Sequence, residues 1–402
     1  MMQASAGFST SEDARTCAVE ASVAARSGLD GEPVSLAVVF ASSEFAPAAE
    51  AVLDGVYEAT TPDVLIGCVA DGIVAGDTEI ESGPAVSVWT ASLPSTPEAF
   101  HTQLAEGPDI ATLQEPGSPV LAAPGDRRFI GWRPGSSHLL LCDPFTFPVD
   151  VLLRTLAEVV PGARVMGGLA SGARSPGQTR LFLNREVVRS GAVGVAFGDD
   201  VEVVPLVSQG CRPVGRPMTV TGADRNLVTE LAGRSPVERV KEVFEDAPIE
   251  DQELMRRGLL VGCVIDEHKV EPEVGDFLIR TVVGADPESG AIAMGDLVKV
   301  GQTIQFHVRD EASAHQDLQD GLKRLRDRLP EGPAGALLFT CNGRGSNLFS
   351  EPDHDAKAVA RELDDLPLAG FFAGGEIGPV GSRNFLHGFT ASMAVVRARA
   401  LP

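Results

Sequence analysis

Residues 368–396 read LAGFFAGGEIGPVGSRNFLHGFTASMAVV, and residues 335–347 upstream of them read GALLFTCNGRGSN. Within this stretch an apolar run, a helix and a second apolar run lead into Gly370, Ala373 and Gly375, the pattern G-x-x-A-x-G. The pattern recurs at Gly67, Ala70 and Gly72 (VLIGCVADG) and at Gly167, Ala170 and Gly172 (RVMGGLASG). A Gly- and Ala-rich chain yields about one such match by chance, so the flanks carry the argument. Each copy follows a strand-like run (VSLAVVFAS, SHLLLCDPF or GALLFTCNG), a polar or Pro-containing turn and an amphipathic helix. Each precedes a further β-rich stretch. Such self-similarity sets the fold: three strand–helix–strand–glycine-turn–hairpin units. The strand–helix–strand part of each is expected to be parallel with a right-handed crossover. The hairpins make the sheets mixed. The expected class is α/β of the mixed α+β kind, with mixed β-sheets flanked by helices in two domains.

Working outward, Ser9 and Thr10 before Glu12 and Asp13 predict a helix start, which makes residues 1–29 a helical lead-in. The first unit takes a strand from Val34 to Ala41 and a helix from about Pro47 to Tyr57. A loop-rich excursion covers Pro94 to Gly117, with a short helix over Ala99 to Leu104. Arg127 to Pro144 predicts two strands around a turn at Pro134 and Gly135. Val149, Leu152, Leu153, Leu156 and Val160 have the spacing of a helix packed on a sheet. A composition change at Thr221 to Ala223 sets the domain boundary, with residues 30–220 holding two units and 221–402 a β meander plus the third. The meander strands are GLLVGCVIDE, DFLIRTVVGAD, GAIAMGDLV and GQTIQFHVRD. A helix from Ser313 to Leu329 follows them.

Composition narrows the function. With 33 basic against 56 acidic residues, the net charge of −23 argues against nucleic acid and against anionic membrane surfaces. No run reaches the roughly 18 apolar residues of a membrane span, and the N-terminus lacks the basic start and apolar core of a signal peptide. Six cysteines without C-x-x-C spacing suit reduced thiols in a cytoplasmic protein. Seven histidines show no ligand spacing, so no metal is expected. Walker, G-x-S-x-G and H-E-x-x-H motifs are missing from the sequence. The glycine turns precede hairpins, not helices, so they lack the helix N-terminus that would hold a pyrophosphate. No cofactor is expected.

Ligands of open α/β sheets collect at the carboxyl ends of parallel strands, where all three glycine turns fall. Only the third copy is richly polar there. One strand end offers Asn342, Arg344 and Gly345, with Ser346 and Asn347; the other offers Gly375, Glu376, Arg383 and Asn384, with His387. Glycines at such a place let backbone approach a ligand. In so acidic a chain Arg212, Arg280, Arg309 and Arg344 are candidates to clamp a carboxylate. The competing reading for Arg280 and Arg309 is pairing with Asp310, Glu273 or other local acids, and for the third copy a solvated surface loop. Cys211 beside Arg212, and Cys341 with His387, are the candidate nucleophiles of a thiol-dependent hydrolase or transferase.

VSQGCRPVGRPMTVTGADRNLVTEL, DFLIR, QFHVRD, LLFTCNGRG and the closing LAGFFAGGEIGPVGSRNFLHGFTASMAVV together resemble the FIST domain, in its N- and C-terminal halves. The resemblance runs from about Asp30 to the end. It implies an intracellular sensory module that binds a small ligand, such as an amino acid or a derivative of one. Such modules occur alone or fused to signalling outputs in bacteria, and beside an F-box in eukaryotic ubiquitin-ligase receptors. The region before Asp30 is too short for an F-box and no output segment follows. The expectation is therefore a stand-alone sensor that passes its signal to a separate protein. The family supplies no catalytic residues to carry over.

Overall fold

Each repeat unit forms a parallel strand pair. Leu36–Ser42 runs beside Val64–Ala70, Ser137–Cys142 beside Arg164–Leu169, and Gly335–Cys341 beside Leu368–Ala373. The computed structural model that shows this describes residues 2–103, 132–269, 272, 275–329 and 332–399. These strands are buried along almost their whole length, which is why they read as continuous apolar runs and not as alternating ones. Val86–Ser92, Ala192–Ala196 and Ala391–Ala398 return antiparallel beside the first strand of each pair. Gln3–Ser9, Glu98–Thr102 and Val201–Ser208 add an outer strand to each return strand.

The hairpins leave their own units. The first unit's hairpin, Ile73–Ala75 with Thr78–Ile80, extends the third unit's sheet by pairing with Leu368–Ala373. The second unit's hairpin, Leu181–Leu183 with Glu186–Val188, extends the first unit's sheet on Val64–Ala70. The third unit's hairpin, Glu376–Val380 with Arg383–His387, extends the second unit's sheet on Arg164–Leu169. The outcome is three six-stranded mixed sheets joined by a cyclic exchange of hairpins.

This exchange explains the G-x-x-A-x-G turns. A Cβ on Gly67, Gly167 or Gly370 would lie 2.0, 1.9 or 1.9 Å from the carbonyl oxygen of Val39, Leu140 or Leu338 on the paired strand. The last glycine of each turn lies against the neighbouring sheet: Gly72 against Phe372, Gly172 against Val69 and Gly375 against Leu169. Backbone bonds seal the three junctions, from Phe372 N to Gly72 O (2.9 Å), Gly172 N to Val69 O (3.3 Å) and Leu169 N to Gly375 O (2.8 Å). Phe40, Phe339 and Phe371 meet at the centre with ring separations of 5.0–6.5 Å.

The chain divides into two compact units. One holds Met1–Val207, Gln319–Leu386 and Thr390–Pro402, which includes the three sheets; the other holds Ser208–Leu318 and His387–Phe389. The second unit is a closed barrel of Cys211–Asp224, Leu227–Leu231, Leu260–Val264, Phe277–Ala285, Ile292–Met294 and Thr303–Arg309. Its interior is apolar, with Val220, Val261, Ile304 and Phe306 buried.

Several expectations change. The expected boundary at Thr221 to Ala223 falls inside the strand Cys211–Asp224, because the meander needs that strand to close the barrel. The lead-in is more than a helix. Gln3–Ser9 pairs with Val86–Ser92, and Ala14–Ser27 packs its small face of Cys17, Ala18 and Ala21 onto the first unit. Asp13 caps that helix by accepting from Thr16 N at 2.9 Å. The helix expected over Ala99 to Leu104 is instead the strand Glu98–Thr102, held by Ala192–Ala196. Leu104, residues 127–131 of the strand expected before Pro134, and Glu273 lie outside the described residues, while Trp132 and Arg133 are not in a strand. The helices Ala49–Thr60, Val149–Val159 and Glu311–Arg328 form where apolar periodicity placed them. Among the described residues, no helix is long and apolar enough to cross a membrane.

Candidate functional site

Gly335–Cys341 ends at the turn Asn342 to Asn347, which Asn342 N ties to Ala373 O (3.0 Å) on the neighbouring strand. The turn sends Arg344 inward, where it is among the largest fully buried side chains of the protein. A buried guanidinium needs an anion, and Asp355 supplies one. Arg344 donates from Nε to Asp355 Oδ2 at 2.7 Å and from Nη2 to Oδ1 at 2.8 Å, a bidentate pair. Thr340 Oγ1 also donates to Asp355 Oδ2 (2.7 Å), and His354 Nδ1 lies 2.9 Å from Oδ1. Asp355 belongs to the first turn of the helix His354–Glu362, whose dipole favours a carboxylate there. The ring of Phe349 stacks on His354 at 3.4 Å and lies 5.1 Å from the Arg344 guanidinium.

The hairpin exchange delivers two further acids from the first unit. Glu79 Oε1 accepts from Ala356 N (2.9 Å), and Glu79 N donates to Asp353 Oδ1 (2.8 Å). Glu81 accepts from Ser346 N and Oγ, at 2.8 and 2.7 Å. Gly345 has φ +55°, and a Cβ there would lie 2.7 Å from Glu81 Oε1, so the turn requires glycine. The last acid is Glu376, at the start of the third unit's hairpin. Its Oε2 accepts from Thr390 N (3.1 Å), and the Cys341 side chain bonds to its carboxyl.

Four charged or chargeable groups are thus nine-tenths buried or more, with Arg344, Asp355 and Glu376 at 0% exposure and Glu79 at 8%. Burial alone would raise Asp355, but the Arg344 guanidinium and the hydrogen bonds around it hold it well below the usual carboxylate range. Burial pushes Glu79 up to about 8, helped by the neighbouring Asp355 charge. Burial likewise raises Glu376 to about 8, against the opposing pull of Thr390 N–H, Cys341 and Arg344. The cluster thus sets an ion pair beside two carboxyls that burial shifts toward their neutral form. Three of its buried polar atoms have no hydrogen-bond partner: Arg344 Nη1, Glu79 Oε2 and Glu376 Oε1. Native interiors rarely leave such groups unpaired, and here the Arg344 charge is felt by both acids.

Among the residues singled out from sequence, Asn342, Arg344, Gly345, Gly375 and Glu376 come together at these two strand ends. Asn384 serves the fold instead: its Oδ1 accepts from Val165 N (2.9 Å) and its Nδ2 donates to Ala163 O (2.7 Å), pinning the exchanged hairpin. Arg383 is exposed, 5.5 Å from the ring of Phe385. Arg212, Arg280 and Arg309 belong to the barrel. Arg212 bridges Asp251 and Asp310, Arg280 pairs with Asp296 at 2.7 Å, and Arg309 lies 4.9 Å from the Phe389 ring. Local acids thus hold Arg212 and Arg280. Sequence reasoning missed Glu79, Glu81, His354, Asp355 and Phe349. Among the described residues no group of His, Cys, Asp and Glu is arranged to hold a metal. None of the six cysteines forms a disulfide, and Cys341 alone is partly exposed. Burial pushes Cys263 up to about 12 and Cys68 higher.

The FIST N domain model matches residues 35–234 and the FIST C domain model residues 236–379. An uncharacterized protein of Mycobacterium tuberculosis (strain H37Rv) is 47% identical over 398 residues, 98% of this chain and 99% of its own length. An uncharacterized protein of Mycobacterium bovis is 46% identical over 398 residues, covering 98% of each chain. An F-box/LRR-repeat protein of Arabidopsis thaliana is 27% identical over 112 residues, 27% of this chain and 21% of its own.

Proposed function

We propose, since the chain belongs to the FIST family of generally signal-transduction sensory domains, that it senses a small ligand held at the Arg344 cluster. The observation that carries this reading is the set of unpaired polar atoms on Arg344, Glu79 and Glu376, all nine-tenths buried or more. An unpaired buried donor or acceptor costs about 1–3 kcal/mol, a cost that a bound polar guest removes. Asn342, Gly345 and Gly375 would frame the guest from the two strand ends. An amino acid or small carboxylate is the class in view, sensed in the cytoplasm and reported to a separate signalling protein. The charge of −23 supports neither nucleic acid nor an anionic membrane as that partner.

A thermal-shift panel of amino acids and small carboxylates tests this. A ligand at about 100 times its Kd stabilises by about 2.7 kcal/mol, enough to raise Tm by several degrees. Arg344→Lys and Glu376→Ala, which takes away the side-chain donor, should remove the shift. A compound that binds wild type and both variants equally would place the site elsewhere.

One observation supports a thiol-dependent hydrolase or transferase as the second reading: the partly exposed Cys341 bonds to the buried Glu376 carboxyl. That reading expects one thiol to react fast with iodoacetamide at neutral pH and to be lost in Cys341→Ser. Six uniformly slow thiols in the folded protein would remove it.

A further inference from the structure

We infer that the Arg344 cluster is a donor-only site: it takes a small oxyanion, in the simplest case a carboxylate, through Arg344 Nη1, Glu79 Oε2 and Glu376 Oε1. The inference rests on the proposed function and gives that site its ligand chemistry. It follows from counting which polar atoms are already used. Arg344 uses Nε and one N–H of Nη2 on Asp355; a second N–H on Nη2 and both on Nη1 remain, and Nη1 has no partner. Glu79 accepts Ala356 N–H at Oε1 and its carboxyl also bonds Asp355 N–H; Glu376 accepts Thr390 N–H at Oε2 and its carboxyl also bonds the Cys341 side chain. A neutral carboxyl carries its proton on the oxygen that is not accepting. The unspent oxygens, Glu79 Oε2 and Glu376 Oε1, are therefore O–H donors. The guanidinium lies within electrostatic reach of both carboxyls.

A guest made only of acceptors satisfies every unspent group. An ammonium group would set donors against donors and would have to strip both acids of their protons. An amino acid would thus be held by its carboxylate end.

The protons come from burial. Glu79 faces Asp355, Glu81, Asp353 and Arg344, and Glu376 faces Arg344 and the Cys341 thiol; both hold their protons up to about pH 8. The sign follows. Below pH 8 both donors are present and an anion binds. Above it both ionise, repel the guest and lose the O–H. A carboxylate site built from arginine alone would show no such loss.

Isothermal titration with sodium acetate, sodium phosphate and methylammonium chloride tests the inference on the full chain. Acetate should bind at about pH 6.5 and weaken roughly 100-fold by about pH 9, as two protons must be restored. The double variant Glu79→Gln with Glu376→Gln keeps an N–H donor at each position and cannot ionise. Its acetate affinity should change by less than about threefold over the same range. The phosphate arm shows whether a free oxyanion substitutes for a carboxylate. Methylammonium binding in place of acetate, or acetate affinity that rises with pH, would overturn the donor-only assignment while leaving a ligand site. Silence from all three probes would overturn the assignment; silence across the wider amino-acid panel as well would also remove the proposed function beneath it.

Discussion

Arg344→Leu lowers the unfolding free energy by about 3–5 kcal/mol in urea titration, because it leaves Asp355 charged, buried and unpaired. The size follows from geometry. Asp355 is wholly buried and gives both oxygens to Arg344. Thr340 Oγ1 and His354 Nδ1 remain as its hydrogen-bonding neighbours. Adding Asp355→Leu should return most of the loss, since a buried ion pair replaced by apolar groups of similar volume is often neutral. That rescue separates stability from use. If the double variant folds as well as wild type and binds nothing, the pair is kept for recognition. A single-variant loss below about 1 kcal/mol would mean that the guanidinium reaches water.

Gly370→Ala is expected to cost more than about 3 kcal/mol, beyond the ordinary range for a point substitution. The new methyl would sit 1.9 Å from Leu338 O on the paired parallel strand, and neither backbone segment can retreat from a sheet buried on both faces. Gly67→Ala and Gly167→Ala meet the same obstacle at 2.0 and 1.9 Å. Gly284→Ala in the barrel, where a Cβ would meet nothing within 4 Å, is the control and should stay within about 1 kcal/mol of wild type. Thermal unfolding of the four variants decides the matter. If Gly370→Ala is as mild as the control, the glycine turns are not the sheet junctions described above.

The scaffold was legible because apolar runs, helix periodicity and turn residues are local signals. VSLAVVFAS, SHLLLCDPF and GALLFTCNG announce strands buried on both faces wherever they occur. The hairpin exchange was not legible, since nothing within IVAGDTEI states that Ile73 to Ala75 will pair with Phe371 to Ala369. The site divided along the same line. Arg344 and Glu376 sit at strand ends of one repeat and could be found together. Glu79 and Glu81 enter from another repeat, and their only local sign is i, i+2 spacing, which puts both on one face of a strand. Asp355 opens a helix and read as an ordinary first-turn acid. Asn384 went the other way: its polarity suggested a ligand, but both ends of its amide are used by backbone. The Gln3–Ser9 strand was missed because its small and polar residues suit a half-exposed edge, not an apolar run.

A crystal structure of the protein soaked in sodium acetate at mildly acidic pH tests the central claim most directly. The account predicts a carboxylate within hydrogen-bonding distance of Arg344 Nη1, Glu79 Oε2 and Glu376 Oε1 together, with the Arg344–Asp355 pair intact beneath it. Acetate bound elsewhere, or the three atoms turned toward separate protein partners with no space shared among them, would contradict it.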